Sequence, residues 1–231
     1  MDKKILVTGV GGPAGQNAVR SLIKEGFEVF AADCGEHAAG LYFVDEQHRL
    51  KLPRATEFVY PHRLLEICKR LKIDAIVPTV DEELSVLVKD RDHFKNNGVE
   101  VLIASRKTVE TANDKLRTLS LLSDTVETGM FAPLSAISIG RQWQFPVCVK
   151  PVEGRGGRGV HRADSKIDLQ NFLPGSGLMV QSYLPGTEFS VDVLSDKEGK
   201  AHYAVVRVRV TIKGGLCMLS TVVRMQQLED L

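Results

Sequence analysis

Residues 147–160 read Val-Cys-Val-Lys-Pro-Val-Glu-Gly-Arg-Gly-Gly-Arg-Gly-Val, and they constrain this chain more than any other stretch. The apolar run 147–149 has the length and β-branched content of a buried strand. It ends in Lys150-Pro151, and four glycines follow within six residues: Gly154, Gly156, Gly157 and Gly159. Glycine enters left-handed backbone that side-chain-bearing residues resist. Successive amides in such backbone form a concave nest that holds an anion. Lys150 leaving the strand, with Arg155 and Arg158 inside the loop, adds positive charge. The stretch therefore predicts a cradle for a polyphosphate. It is not a P-loop, because no Gly-Lys-Ser/Thr follows the glycines. Residues 159–163 read as a returning strand, so the loop is a hairpin-like flap. The alternative is a mobile glycine-rich hairpin with no ligand.

Residues 178–194 continue as strand, turn and strand. Pro185-Gly186 supplies the turn. Glu188, Ser190 and Asp192 alternate with Phe189, Val191 and Val193, the period of a half-buried strand. Taken in order with Ala112-Asn-Asp-Lys-Leu116 upstream, these segments resemble the ATP-grasp superfamily, and within it the carbamoyl-phosphate-synthetase-like members. The resemblance covers nearly the whole chain. It implies an α/β protein with a Rossmann-like parallel-sheet domain over 1–112. An incomplete α+β nucleotide-binding domain with antiparallel strands follows over 113–231. It also implies ATP-dependent ligation: a carboxylate becomes an acyl phosphate, and an amine or ammonia then displaces phosphate. Such transfers need positioning and charge neutralisation more than a protein nucleophile.

Carried onto this sequence, the resemblance gives Lys115 and Lys150 to the nucleotide phosphates, with Gly154, Arg155, Gly156, Gly157, Arg158 and Gly159 closing over them. Gln181 and the backbone at Tyr183 and Leu184 meet the adenine edge. Glu188 meets the ribose hydroxyls, a carboxylate accepting two O–H bonds. Arg207, Arg209 and Lys213 meet substrate or the γ-phosphate. On periodicity alone, Arg207 and Arg209 fit equally well as the exposed face of an alternating strand. Two departures stand out. The adenine-edge position usually carries Glu and here is Gln181. The acidic strand and Glu-x-Asn element that hold Mg2+ in the family do not appear before Leu231. The expectation is an incomplete chain, inactive alone, with no metal ligands of its own.

The first half alternates strand and helix, the mark of a mostly parallel sheet. Strands are predicted at 4–8, 27–32, 74–78 and 99–103, with helices at 13–24, 60–71 and 82–94; Pro13 suits a first helical turn. Residues 108–113 read as a link and 114–123 as a helix. Lys115 lies in that helix's first turn, where the dipole disfavours a cation and a phosphate partner would explain it. Further on, a short helix at 166–172, a turn at Gly175, strands at 201–210 and 217–223 and a turn at Gly214 are predicted. Gly9, Gly11 and Gly15, with Asp33 ending the second strand, partly fit a dinucleotide fingerprint, though the spacing has one residue too many. An NAD(P)-dependent oxidoreductase is thus one alternative function. A non-catalytic nucleotide-binding or interaction module is another. Asp81 and Glu82 follow a strand end, where open α/β sheets place ligands. The resemblance puts a substrate-facing Asp-Glu pair there; the alternative is a helix cap with first-turn acids.

Net charge is +1 and hydrophobic residues make up 43%, so bulk charge gives no argument for nucleic acid or an anionic membrane. No apolar run is long enough to span a bilayer. The first residues lack a signal-peptide apolar stretch, so the expected location is cytoplasmic. Cys34, Cys68, Cys148 and Cys217 are scattered without metal-ligand spacing and are expected reduced and mostly buried. The expected partners are small-molecule carboxylate and amine substrates. A homo-oligomer is expected from the open edge of the last sheet.

Overall fold

The computed structural model describes residues 3–135, 139–140, 142–173, 176–196, 198–213 and 215–229. Gly175 and Gly214 lie outside them, as do the two last residues. The chain divides into two compact units, Met1–Ala112 and Asn113–Leu231.

The first unit is a parallel sheet with helices. Its strands are β1 (Lys4–Thr8), β2 (Glu28–Asp33), β3 (Arg49–Lys51), β4 (Ala75–Val77) and β5 (Glu100–Val101), in the order β3-β2-β1-β4-β5. All the neighbours run parallel. The strand order reverses at β1, so the crevice beyond the ends of β1 and β4 is where such sheets bind ligands. Both sheet faces are covered. Leu6, Phe30, Ala32 and Ile76 pack with α2 (Tyr60–Leu71) and α3 (Asp81–Asn96) on one side. Val7, Val29 and Ala31 pack with Val19 of α1 (Pro13–Lys24) and with Leu41 on the other. Covered faces explain why these strands read as unbroken apolar runs.

Some elements differ from the sequence expectation. Residues 108–113 are not a link but the body of α4 (Arg106–Asn113). Ser105 starts it: its hydroxyl accepts the Thr108 N–H, and Val109 is the buried anchor. The strand expected at 99–103 narrows to β5. β3 and two 3-10 turns, Ala39–Phe43 and Glu46–His48, are additional.

The second unit holds α5 (Lys115–Leu122), β6 (Phe131–Pro133), β7 (Val147–Pro151), β8 (His161–Ala163), α6 (Lys166–Gln170), β9 (Leu178–Ser182), β10 (Phe189–Ser195), β11 (Ala201–Lys213), β12 (Leu216–Val223) and α7 (Gln226–Glu229). One antiparallel sheet has the order β6-β9-β7-β8 and another β10-β11-β12. In the first of these, Ala132, Val147, Val149, Ala163 and Val180 share a face and pack against Trp143 and Leu169. The three-stranded sheet is thinly covered: Leu194, Tyr203, Met218 and Val222 are all exposed. All four cysteines are free, but only Cys68 is fully buried, and Cys34 is exposed. Burial pushes the Cys68 thiol pKa up to about 12, so it behaves as a small apolar group. Among the described residues, no helix is long and apolar enough to cross a membrane.

Candidate functional site

The two-residue period of strands sends alternate side chains to opposite faces. Val147, Val149 and Val180 face the core, so Cys148, Lys150, Met179 and Gln181 share the other face. The register agrees, placing Cys148 opposite Gln181 and Lys150 opposite Met179. Lys150 Nζ donates to Gln181 Oε1 at 2.6 Å, and Gln181 Nε2 donates to the Thr128 carbonyl at 2.7 Å. Gln181 is buried, and both ends of its amide are used. A glutamate in this place would cancel the Lys150 charge. The neutral amide orients the ammonium and leaves its charge in place.

Lys115 arrives from the start of α5. Asp114 caps that helix by accepting the Arg117 N–H at 3.0 Å. Lys115 Nζ donates to the Gly154 carbonyl at 2.9 Å and to the Val152 carbonyl at 3.4 Å. Burial, and next the Lys150 ammonium, hold the Lys115 pKa below the ordinary lysine range, against the opposing pull of Glu153 and Asp114. Two ammonium groups that repel each other at the root of one loop favour an anion between them.

The loop above them needs its glycines. Gly154, Gly156, Gly157 and Gly159 all have positive φ, from 62° to 132°. Its residues are exposed except Gly156, which is half-buried. Arg155 and Arg158 lie within it. β8 returns antiparallel to β7, which makes the loop a hairpin connection.

Residues 5–102 match a family model described as PylC-like, N-terminal domain. Residues 175–229 match one described as ATP-grasp in the biosynthetic pathway with Ter operon. The carbamoyl phosphate synthase large chain of Clostridium acetobutylicum is 23% identical over 157 residues, 62% of this chain and 14% of that protein. The formate-dependent phosphoribosylglycinamide formyltransferase of Prochlorococcus marinus is 26% identical over 178 residues, 73% of this chain and 42% of that protein. Among solved structures, the biotin carboxylase domain of Hydrogenobacter thermophilus 2-oxoglutarate carboxylase superposes with a TM-score of 0.74 at 17% identity, over 95% of this chain and 53% of that one. An L-amino acid ligase from Bacillus licheniformis gives 0.70 at 18% identity, over 90% of this chain and 50% of that one. Over both units, then, the chain is similar to proteins of the ATP-grasp superfamily. It spans about half the length of these solved relatives and less of the curated ones.

The remaining sequence-predicted residues fall into separate groups. Tyr183 and Leu184 follow β9 and are largely exposed, and the Arg162 guanidinium stacks over the Tyr183 ring at 5.1 Å. Glu188 precedes β10 and accepts from Arg209 Nη1. Arg209 Nη2 donates to the Gly215 carbonyl at 2.8 Å. Arg207 grips Asp192 with two nitrogens, at 2.6 and 3.0 Å. Both arginines are therefore half-buried cross-strand partners of carboxylates. Lys213 stands exposed at the end of β11.

Asp81 and Glu82 are exposed in the first turn of α3, after β4. The next residue, Glu83, is buried instead. It accepts from Tyr60 Oη at 2.6 Å and Thr8 Oγ1 at 2.7 Å. Burial raises its pKa above the ordinary carboxylate range, partly offset by those hydroxyls.

The glycine loop at 9–15 is a packing device. A Cβ on Gly15 would lie 2.6 Å from the Gly9 carbonyl oxygen and 2.7 Å from Val10 Cα. The Asp33 carboxylate accepts the Gly11 N–H at 2.7 Å and the Gly35 N–H at 2.8 Å. A dinucleotide fingerprint requires that carboxylate for a ribose hydroxyl. Here one oxygen fastens the loop at Gly11 and the other holds the Gly35 amide after β2, so both are engaged, which weighs against the oxidoreductase alternative.

Sequence reasoning missed Cys148, Met179, Thr128 and Gly215. Counting by twos from Lys150 and Gln181 would have found the first two. Thr128 and Gly215 take part through backbone carbonyls, which leave no trace in residue type. Among the described residues, no group of three or more His, Cys, Asp or Glu side chains is placed to hold a metal ion. The lysines and loop amides suit a polyphosphate.

Proposed function

We propose that this chain carries the nucleotide-phosphate part of an ATP-grasp ligase, one that activates a carboxylate as an acyl phosphate for attack by an amine or ammonia. The carrying observation is the cluster of Lys115, Lys150 and Gln181 beneath a loop of four left-handed glycines. In this reading Lys115, Lys150 and the loop amides neutralise the phosphates. Gln181 and the backbone at Tyr183 and Leu184 border the base. Glu188 exchanges its Arg209 contact for the ribose hydroxyls.

Two similar structures support a nucleotide. The 2-oxoglutarate carboxylase domain was solved with MgADP, ADP and bicarbonate, and an Aspergillus clavatus carboxyaminoimidazole synthase with ADP and its aminoimidazole ribonucleotide. Asp81, Glu82, Arg207, Arg209 and Lys213 are the proposed substrate-side residues. The Asp192 and Glu188 partners of the two arginines favour cross-strand pairing as their role without ligand. Among the described residues β10 and β12 are the edge strands of their sheet, which supports self-association as part of the same reading.

Calorimetric titration with ADP tests the proposal. Lys150→Ala removes a charge-assisted contact and should weaken binding by roughly 10- to 100-fold. Gly11→Ala, in the other glycine loop, should leave binding unchanged. The reverse ranking would sink the reading, and full-strength binding by both variants would reassign the nucleotide elsewhere.

A further inference from the structure

We propose that Gly215, in the turn between β11 and β12, is the seat on which the tip of the 154–159 loop rests, and that Arg209 ties this seat to Glu188. Gly215 is then a positioning residue for the phosphate loop. Its functional consequence rests on the nucleotide reading above; its geometry does not.

The contact is backbone on backbone. A Cβ on Gly215 would lie 2.1 Å from the Gly156 carbonyl carbon, 2.2 Å from its oxygen and 2.3 Å from Gly157 N. These are peptide atoms, which cannot swing aside as a side-chain end can. The half-burial of Gly156 in an otherwise exposed loop has its cause here. Gly199, in the turn between β10 and β11, makes a natural control. Its φ is +87° and Gly215's is +74°, yet a Cβ on Gly199 would meet nothing within 4 Å among the described residues. One turn glycine answers a conformational need alone. The other answers that need and also makes room for the loop.

Arg209 holds the seat from beneath. Its Nη2 donates to the Gly215 carbonyl at 2.8 Å, its Nη1 to Glu188, and its backbone N–H to the Glu188 carbonyl at 2.9 Å. Its Nε is buried without a hydrogen-bond partner among the described residues, a cost accepted where the side chain's position is fixed by other contacts. The loop's root is held as well, by Lys115 on the Gly154 carbonyl. The loop is thus pinned at root and tip, and its tip pin shares an arginine with the proposed ribose carboxylate.

Trypsin reads the seat directly, because Arg155 and Arg158 lie in the loop and cleavage follows the population of the opened form. With the 231-residue chain and no nucleotide, Gly215→Ala should raise the cleavage rate at these two arginines by roughly tenfold. Gly199→Ala, which bears the same kind of backbone strain without the contact, should stay within about twofold of wild type. Equal rates in the two variants would overturn the seat. Should Gly215→Ala not fold, Arg209→Gln keeps the turn conformation and removes the guanidinium grip. It should raise cleavage by roughly threefold, and an unchanged rate would overturn the link through Arg209. Saturating ADP should protect the loop in wild type and in Gly199→Ala, and much less in Gly215→Ala. If ADP protects neither wild type nor Gly199→Ala while the cleavage ranking holds, the seat stands and the nucleotide reading falls.

Discussion

The chain has two glycine-rich loops that look alike in sequence and differ in why they need glycine. At 9–15 the glycines make room. Gly15 and Gly9 stand where a Cβ would strike neighbouring atoms, and Asp33 and Thr79 fasten the loop's amides and carbonyls. At 154–159 the glycines supply left-handed backbone: all four have positive φ, and among the described residues a Cβ on Gly154 would meet only Pro151 Cβ, at 3.8 Å, and one on Gly159 only the Pro151 ring, at 3.0 Å. The first loop is a weld between β1, α1 and β4. The second is an amide-lined span held at a few points. Glycine count cannot separate these roles. What surrounds each missing Cβ can.

The largest expected effect tests the weld. In Gly15→Ala the new methyl meets backbone that cannot yield, an overpacking cost of about 3 kcal/mol, offset by about 1 kcal/mol of better helix propensity. A net loss near 2 kcal/mol should appear as a lower urea midpoint. Gly154→Ala should move that midpoint less, because its Cβ makes no contact closer than Pro151 Cβ at 3.8 Å and the strain stays within an exposed loop. It should weaken ADP instead. If both substitutions cost equal stability, the two loops are not different in kind.

The parallel unit was more legible than the site. Its β-branched runs and helical spacing reflect burial on both faces, and burial is what sequence periodicity records. Short elements at surfaces were not legible: α4 is marked by one capping serine, Ser105, and one buried residue, Val109. In the second unit, Lys150, Gln181 and the loop could be placed because strand alternation and glycine clustering are local signals. The pairings of Arg207 with Asp192 and Arg209 with Glu188 depend on strand register, which no local pattern states. The seat at Gly215 depends on a contact with residues almost 60 positions earlier.

The next effect concerns the floor under the first loop. Thr8, just before Gly9, and Tyr60 both donate to the buried Glu83 carboxyl. Burial raises the folded pKa above the ordinary value of 4.5. The unfolded chain therefore loses this proton first as pH rises. The stabilising contribution is complete below 4.5 and disappears as pH climbs through the raised folded value. Gln has no proton to lose, and the Tyr60 and Thr8 hydroxyls can turn to meet its amide. Subtracting the stability of Glu83→Gln from that of wild type across this window should give a falling curve, with a slope of at most about 1.4 kcal/mol per pH unit. A flat difference would mean that Glu83 ionises freely in the folded state, and the weld would lose its buried base.

The smallest effect probes the second loop. Lys115 is held below the ordinary lysine range by burial and by Lys150, so it loses its proton at a lower pH than an ordinary lysine. A phosphate brought between the two ammonium groups favours the charged form and raises that pKa. Binding must then take up protons in the window between the free and bound values. The sign is fixed: uptake, growing as pH rises toward the lysine range, and fading above the bound value. Calorimetry of ADP binding in two buffers of different ionisation enthalpy measures it as a fraction of a proton. Lys150→Ala removes one source of the depression, so residual ADP binding should carry a smaller uptake. Proton release would place the phosphates away from Lys115, and the loop at 154–159 would then be open backbone without the anion that its two lysines are arranged to hold.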